Sequence, residues 1–405
     1  MSGLFGSAVF KANSFIVLEG KTANFFYIIR QGNVRLTPEI QIPEEEASTV
    51  LNPGDFFGVV ACMSGQPQIE TVQSITDCSL ITVGRDQFGV LIQKNAPIAL
   101  KIIRYFSQRL RIIDKAITKL NFQYSHEEDH SQIFHVGKFY FERHEYAHAI
   151  YAFRSYLRIL PQGENAEECH QLLQQMDAPD KPADHKDPNQ LAQSFEDGEL
   201  IMIEHEPGDT LYIIQKGQVK ITKVVNDNEV MLAVLNPGDI FGEMAILENK
   251  PRSASAVAFG GMVALAINKA NFESMVKQQP QLAVKLITIL SERIWTAFRR
   301  LANLLIGDSV GRSYDLLLTQ VHKNQVTIRQ KSSYEFDFGI NELNKMLGLS
   351  PQDGNEHVNV LIKDKNIKID QGRITVLDLS ELEKLAAYHR KRVAMDKKRE
   401  QAKLR

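Results

Sequence analysis

Short runs rich in Val, Ile and Tyr, broken every few residues by Gly, Pro, Asn or Asp, fill two separate stretches of this chain. That punctuation predicts several short strands joined by turns, as in a barrel or jelly roll. The stretches are copies of one another. "YIIRQGNVRL" (Tyr27–Leu36) matches "YIIQKGQVKI" (Tyr212–Ile221), and "LNPGDF" and "LNPGDI" follow in step. Gly54 and Gly238 follow Pro in those turns, where a positive φ is cheap only for glycine. After each copy the period lengthens. Ile103, Phe106, Leu110, Ile113, Ile117 and Leu120 recur every three or four residues, as do Ile287, Leu290, Ile294, Ala297, Leu301 and Leu304. These coiled-coil-like stripes predict helices over 97–120 and 280–305. The repeated unit is thus a β-barrel followed by a helix, at 1–123 and again at 194–306.

A different pattern separates the copies. Gly137, Tyr140, Ala149, Phe153 and Pro161 fall at the offsets of a helix–turn–helix repeat, and "AEECHQLLQQM" (Ala166–Met176) adds another helix. Segment 131–176 is similar to a single tetratricopeptide (TPR) repeat, a unit that normally needs about three copies for stability. It must therefore dock on a neighbouring domain or carry a partner. Residues 177–193, rich in Pro and charge, read as a linker. Segment 307–379 is helical, then helix–turn–helix, and ends in "KIDQGRITVLDL", a two-strand wing. The basic tail 380–405 is expected to be a helix begun by a Ser380/Glu383 capping box. The fold class expected is multidomain α+β: two β-jelly-roll barrels each with a C-terminal helix, a TPR-like hairpin between them, and a winged-helix-like C-terminal domain.

Composition narrows the functions. A length of 405 residues suggests about two to four domains. A net charge of −2 gives no global attraction to nucleic acid or anionic membrane, so any such binding must come from a local patch. Cys62, Cys78 and Cys169 are too widely separated for a disulfide framework or a metal knuckle. The start "MSGLFGSAVF" lacks a signal-peptide pattern, and no apolar run reaches the roughly 18 residues of a membrane span. No membrane association and a reducing cytoplasm are the expectation.

The second copy carries the chemistry, in "FGEMAILENKPRSASA" (Phe241–Ala256). Gly242 lets backbone N–H groups approach an anion, and a short helix starting there would aim more of them at it. Arg252 offers a planar fork that suits two phosphate oxygens. An ionised Glu243 only accepts hydrogen bonds, so it suits a sugar hydroxyl. The small residues Ser253, Ala254 and Ser255 let a ligand lie against the strand. One compact phosphate and a free ribose hydroxyl would satisfy these groups together; otherwise Arg252 and Glu243 pair across a solvated loop.

The stretch resembles the phosphate-binding cassette of cyclic nucleotide-binding domains, as in the Crp–Fnr regulators and the regulatory subunits of cAMP-dependent kinase. The resemblance implies that Gly242 and Ala245 lend backbone N–H groups, with Met244 between them. It gives Glu243 the ribose 2′-hydroxyl, Arg252 the cyclic phosphate, Ser253 the phosphate through its N–H and hydroxyl, and Ala254 a place against the ligand. The base would meet the helix after the barrel, where Thr296 is the nearby hydroxyl and Trp295 either stacks on the base or packs. The ligand implied is cAMP or cGMP, with cAMP favoured, and no cofactor is expected. The first copy reads "FGVVACMSGQPQIETV" (Phe57–Val72), with Val59 and Gln68 in place of the Glu and Arg. A buried phosphate there would lack its counter-charge, so that site is expected to be empty.

Other signals are weaker. His144-Glu145-Tyr146-Ala147-His148 matches the zinc-protease pattern but lies inside the repeat, and no third ligand is recognisable. No metal and no catalytic constellation are expected, so the chain is read as not an enzyme. "NELNKMLGLS" (Asn341–Ser350) resembles the first helix and turn of the Crp-type winged helix. The recognition helix that should follow, "SPQDGNEHVNVL" (Ser350–Leu361), has Asp353 and Glu356 but no Lys or Arg, and an acidic face repels phosphate. Basic residues Arg390, Lys391, Arg392, Lys397, Lys398 and Arg399 in the tail offer non-specific compensation. Two outputs follow: DNA binding by a transcription regulator, or a contact with a protein partner through the TPR-like hairpin or the remodelled wing. The helical stripes allow either a homodimer or an intrachain pseudo-dimer through helices 97–120 and 280–305.

Overall fold

In the computed structural model, residues 5–42, 48–122, 129–178, 190–244, 250–370 and 373–403 are described. The first β module runs β1 (Gly6–Phe10), β2 (Phe15–Val17), β3 (Phe25–Gln31), β4 (Val34–Pro38), β5 (Thr49–Leu51), β6 (Phe56–Phe57), helix α1 (Val59–Ser64), β7 (Glu70–Ser74) and β8 (Cys78–Gly84). Its strands form two four-stranded antiparallel sheets, ordered β1-β8-β3-β6 and β2-β7-β4-β5, the order of a jelly roll. Period-2 alternation sets the faces: Val34 and Leu36 of β4 are buried while Arg35 and Thr37 are exposed. Between the sheets lie Val17, Tyr27, Ile29, Phe57, Val72 and Leu80.

Helices follow: α2 (Phe88–Lys94), α3 (Ala96–Phe122), α4 (Gln132–Glu142), α5 (Tyr146–Ile159) and α6 (Ala166–Gln175). A Cβ on Gly137 of α4 would lie 2.6 Å from the Phe153 ring of α5, so the close crossing of these helices needs the glycine. Phe134, Tyr140, Phe153 and Tyr156 are buried in the helical core, which continues into Leu200, Ile203 and Val257 of the second module. The three-helix segment therefore hides its apolar face against a neighbour rather than against further repeats.

The second module repeats the strand order with longer strands: β9 (Ala192–Phe195), β10 (Leu200–Met202), β11 (Thr210–Val225), β12 (Asn228–Leu235), β13 (Ile240–Phe241) and β14 (Ser255–Asn268). Here β11 does the work of β3 and β4, and β14 that of β7 and β8; β11 pairs with β14 and β13, and β14 with β9 and β10. Then come α7 (Lys269–Gln278) and α8 (Pro280–Leu305).

The C-terminal part contains α9 (Ser309–Lys323), β15 (Tyr334–Gly339), α10 (Ile340–Leu347), α11 (Pro351–Leu361), β16 (Ile367–Asp370), β17 (Arg373–Val376) and α12 (Leu379–Lys403). Its three-stranded sheet is ordered β15-β17-β16. The tail helix does not start at a Ser380/Glu383 box. Asp378 is the cap, its carboxylate accepting from the Ser380 and Glu381 N–H groups at 2.9 and 3.3 Å. Nor is the tail uniformly free for DNA. Half-buried Arg390 pairs with Asp315 at 2.5 Å and Glu39 at 2.8 Å, and Arg392 binds Asp308 at 2.9 Å. The side chains of Lys397, Lys398 and Arg399 lie outside the described residues.

Compact units do not follow sequence order. One comprises Met1–Gln87 with Ser291–Arg405; the other is Phe88–Leu290. Helix α3, which follows the first module in the chain, thus belongs with the second module, where it packs against α7. The second half of α8 belongs with the first. No described helix is long and apolar enough to cross a membrane.

Candidate functional site

Both modules build the same backbone cradle. In the second, His205 N–H donates to Arg252 O at 2.9 Å and Arg252 N–H to Glu206 O at 2.8 Å. In the first, Gly20 N–H donates to Gln68 O at 2.8 Å and Gln68 N–H to Lys21 O at 2.9 Å. The strand ahead of each loop is fixed by a stacked aromatic pair, Tyr212–Phe241 and Tyr27–Phe57, each with centroids 5.0 Å apart. Gly242 and Gly58 then turn the chain with φ of 77° and 79°, in the left-handed region that favours glycine. With these features matched, the side chains of the two cradles can be compared position by position.

In the second module Arg252 is 5% exposed. Its Nη1 donates to Gly242 O at 2.6 Å and its Nη2 to Thr210 O at 2.8 Å, while Nε has no partner among the described residues. Two glycines make the slot. A Cβ on Gly208 would sit 2.2 Å from Nε and 2.3 Å from Cζ; one on Gly242 would sit 2.7 Å from Nη1. A buried guanidinium left one donor short is costly in a protein interior, and an anion would satisfy it. Glu243, at 1% exposed, Met244 and Ala254 are all buried, and half-buried Ser253 reaches Met244 Sδ at 3.5 Å. Both of these Arg252 hydrogen bonds run to backbone carbonyls. Ala245 lies outside the described residues.

Behind the arginine stands Glu206, 4% exposed. Burial raises its carboxyl to about 7, against the opposing pull of Arg252, the Ile203 N–H, Arg158 and Tyr151. Thr296, half-buried on α8, falls in the stretch belonging to the first unit. Trp295 packs: it is 1% exposed and donates to Pro67 O at 3.1 Å, in the first module's own loop. The zinc-like pattern dissolves, because α5 begins only at Tyr146. His144 sits in the preceding turn with φ of 61°, so the two histidines do not share a helical face. His148 instead lies 2.8 Å from Gly198 O.

The first module has lost the pocket's charges. Val59 and Gln68 are buried, Lys21 stands exposed where Glu206 is, and Ala23 takes the place of Gly208. Gly208, Glu206 and the Thr210 carbonyl escaped the sequence reading, although aligning "EHEPGDTLY" with "EGKTANFFY" would have exposed the paired losses. Arg111 also escaped it. From α3 it donates to Pro251 O at 3.1 Å, one residue before Arg252.

Together these features define a tandem jelly-roll protein whose second module buries an arginine between two glycines. Residues 8–95 and 192–279 both match the cyclic nucleotide-binding domain, so the chain carries two such domains. It is 34% identical over 125 residues to a CRP-like cAMP-activated global transcriptional regulator of Mycobacterium tuberculosis, covering 31% of this chain and 56% of that protein's length. It is 27% identical over 194 residues to the cyclic AMP receptor protein of Thermus thermophilus, covering 47% of this chain and 86% of that protein. The crystal structure of Thermus thermophilus catabolite activator protein matches with 26% identity and a TM-score of 0.28, over 48% of this chain and 89% of that one.

Proposed function

We propose that this chain is a cyclic nucleotide sensor that takes cAMP in the second module and re-aims its C-terminal winged-helix-like domain to regulate transcription. The observation that carries the reading is the Arg252 guanidinium, buried in a slot of two glycines with Nε unpartnered. The cyclic phosphate would take Arg252 and Ser253, and the ribose hydroxyl would take Glu243. The choice of cAMP over cGMP leans on the names of the mycobacterial and Thermus relatives. Calorimetric titration of the full chain with cAMP and cGMP tests it: one site per chain is expected, with cAMP tighter. Two equivalent sites, or none, would overturn it.

The helices support an intrachain pseudo-dimer. Arg111 of α3 donates to Pro251 O, and Trp295 of α8 donates to Pro67 O. These prolines hold the same place in the two cassettes, and the two side chains the same place on their helices. Each copy's helix thus serves the other copy's loop, which gives the degenerate first module a reason to persist. The full chain is expected to be monomeric by light scattering with cAMP present; a stable dimer broken by Leu290→Arg would sink this arrangement.

A second output reading, contact with a protein partner, is favoured by α11. Gly354, His357 and Leu361 face inward, while Asp353, Asn355, Glu356 and Asn359 are exposed. An acidic outward face opposes DNA phosphate. A salt-dependent gel shift of genomic fragments with cAMP separates the two outputs, and no shift alongside retained cAMP binding would leave the partner reading.

A further inference from the structure

Glu206 touches both the phosphate slot and the helical segment. Its backbone carbonyl accepts the Arg252 N–H at 2.8 Å. Its carboxylate accepts from Ile203 N–H at 3.0 Å, from Tyr151 Oη at 3.3 and 3.4 Å, and from Ser155 Oγ at 3.5 Å. Arg158 Nη2 lies 3.7 Å away. Tyr151, Ser155 and Arg158 all belong to α5, so the inserted helices end on the group standing behind Arg252. In the first module Lys21, Ala23 and Gln68 replace Glu206, Gly208 and Arg252 as a set.

We propose that Glu206 is a proton-linked positioning residue: it balances the Arg252 guanidinium while the slot is free, and takes up a proton from solvent when an anionic ligand claims that guanidinium, loosening its hold on α5. This rests on the reading of Arg252 as the phosphate-binding group. The physical reason is charge balance. A buried carboxylate is tolerated beside Arg252, but a second negative charge on the same arginine leaves one of the two uncompensated. Protonation removes the conflict. A neutral Glu206 also gives up its attraction to Arg158 and accepts more weakly from Tyr151 and Ser155, so α5 is held less firmly.

Charged and titratable groups near Glu206 include Arg252, Arg158, Tyr151 and Tyr212; both tyrosines are pushed above their ordinary range by burial. Glu206 itself, at about 7, is the group among them that changes charge near neutrality. His205, next in the chain, faces Glu204 instead, at 3.5 Å. A cyclic phosphodiester keeps a single charge throughout this range. Binding therefore favours the protonated form: affinity rises as pH falls from 8 to 6, by about fivefold to tenfold, and levels off once Glu206 is already protonated in the free protein.

The test is calorimetry of cAMP binding to the full chain at pH 6, 7 and 8, in buffers of unlike ionisation enthalpy, with hydrogen exchange of α5. Wild type is expected to absorb part of a proton at pH 7, and its α5 amides to exchange more quickly with cAMP. Glu206→Gln, an isosteric neutral variant, should bind with no proton uptake and a flat pH profile; Tyr151→Phe should keep the uptake but show a smaller change at α5. Proton uptake by Glu206→Gln equal to wild type overturns the positioning role. Uptake confined to Glu206 with no change at α5 overturns the link to the helices. Absence of cAMP binding in wild type overturns the reading of the site itself, and this inference with it.

Discussion

Arg252→Ala is expected to weaken cAMP binding by about a hundredfold or more, since removing one partner of a buried charge pair costs about 3–5 kcal/mol. Calorimetry reads the loss, and circular dichroism checks that the fold survives. A sharper variant is Gly208→Ala, which leaves Arg252 in place. The added methyl would stand 2.2 Å from Nε and 2.3 Å from Cζ, far inside contact distance, so the guanidinium must leave its slot. Binding should fall as far as in Arg252→Ala. The matching change in the first module, Ala23→Gly, should do nothing, because Gln68 there needs no slot. Wild-type affinity in Gly208→Ala would show that the phosphate is held elsewhere.

Glu39→Gln is expected to destabilise the chain by about 3 kcal/mol, read by urea denaturation at pH 7. Glu39 follows β4 of the first module and meets Arg299 of α8 and Arg390 of α12, the latter at 2.8 Å. Burial pushes its carboxyl up, but Arg299 and Arg390 outweigh burial and hold it down at about 2, below the ordinary 4.5. A folded-state value below the unfolded one stabilises fully above about pH 4.5, and the contribution drains away as pH falls towards 2. Wild type should therefore lose stability over that window, and Glu39→Gln should lose less. Equal acid sensitivity in the two proteins would place the acid-labile group elsewhere. Beyond stability, the network makes the first module a holder of the C-terminal helix: Arg390 is shared between Glu39 and the fully buried Asp315.

The cassette was legible in the sequence because its parts are local. Gly242, Glu243 and Arg252 lie within eleven residues, between strands whose turns and alternation are written in composition. The double copy made it plainer still, since Val59 and Gln68 show what the same loop looks like without charges. Residues that meet the cassette from a distance were not legible. Glu206 lies 46 positions before Arg252 in the chain, and Arg111 is 140 positions from Pro251; no periodicity records such pairings. The tail was misread for the same reason: Arg390 looks like one of many solvated cations until Asp315 and Glu39 close around it.

By itself, then, the sequence determined the elements, the duplication and the charged loop, because turn chemistry, side-chain alternation and a fixed spacing act over a few residues at a time. Only the tertiary structure decided which helix serves which module, what stands behind the phosphate arginine, and where the inserted helices hide their apolar face. Those outcomes depend on burial and charge compensation between groups far apart in the chain, and such forces act through space.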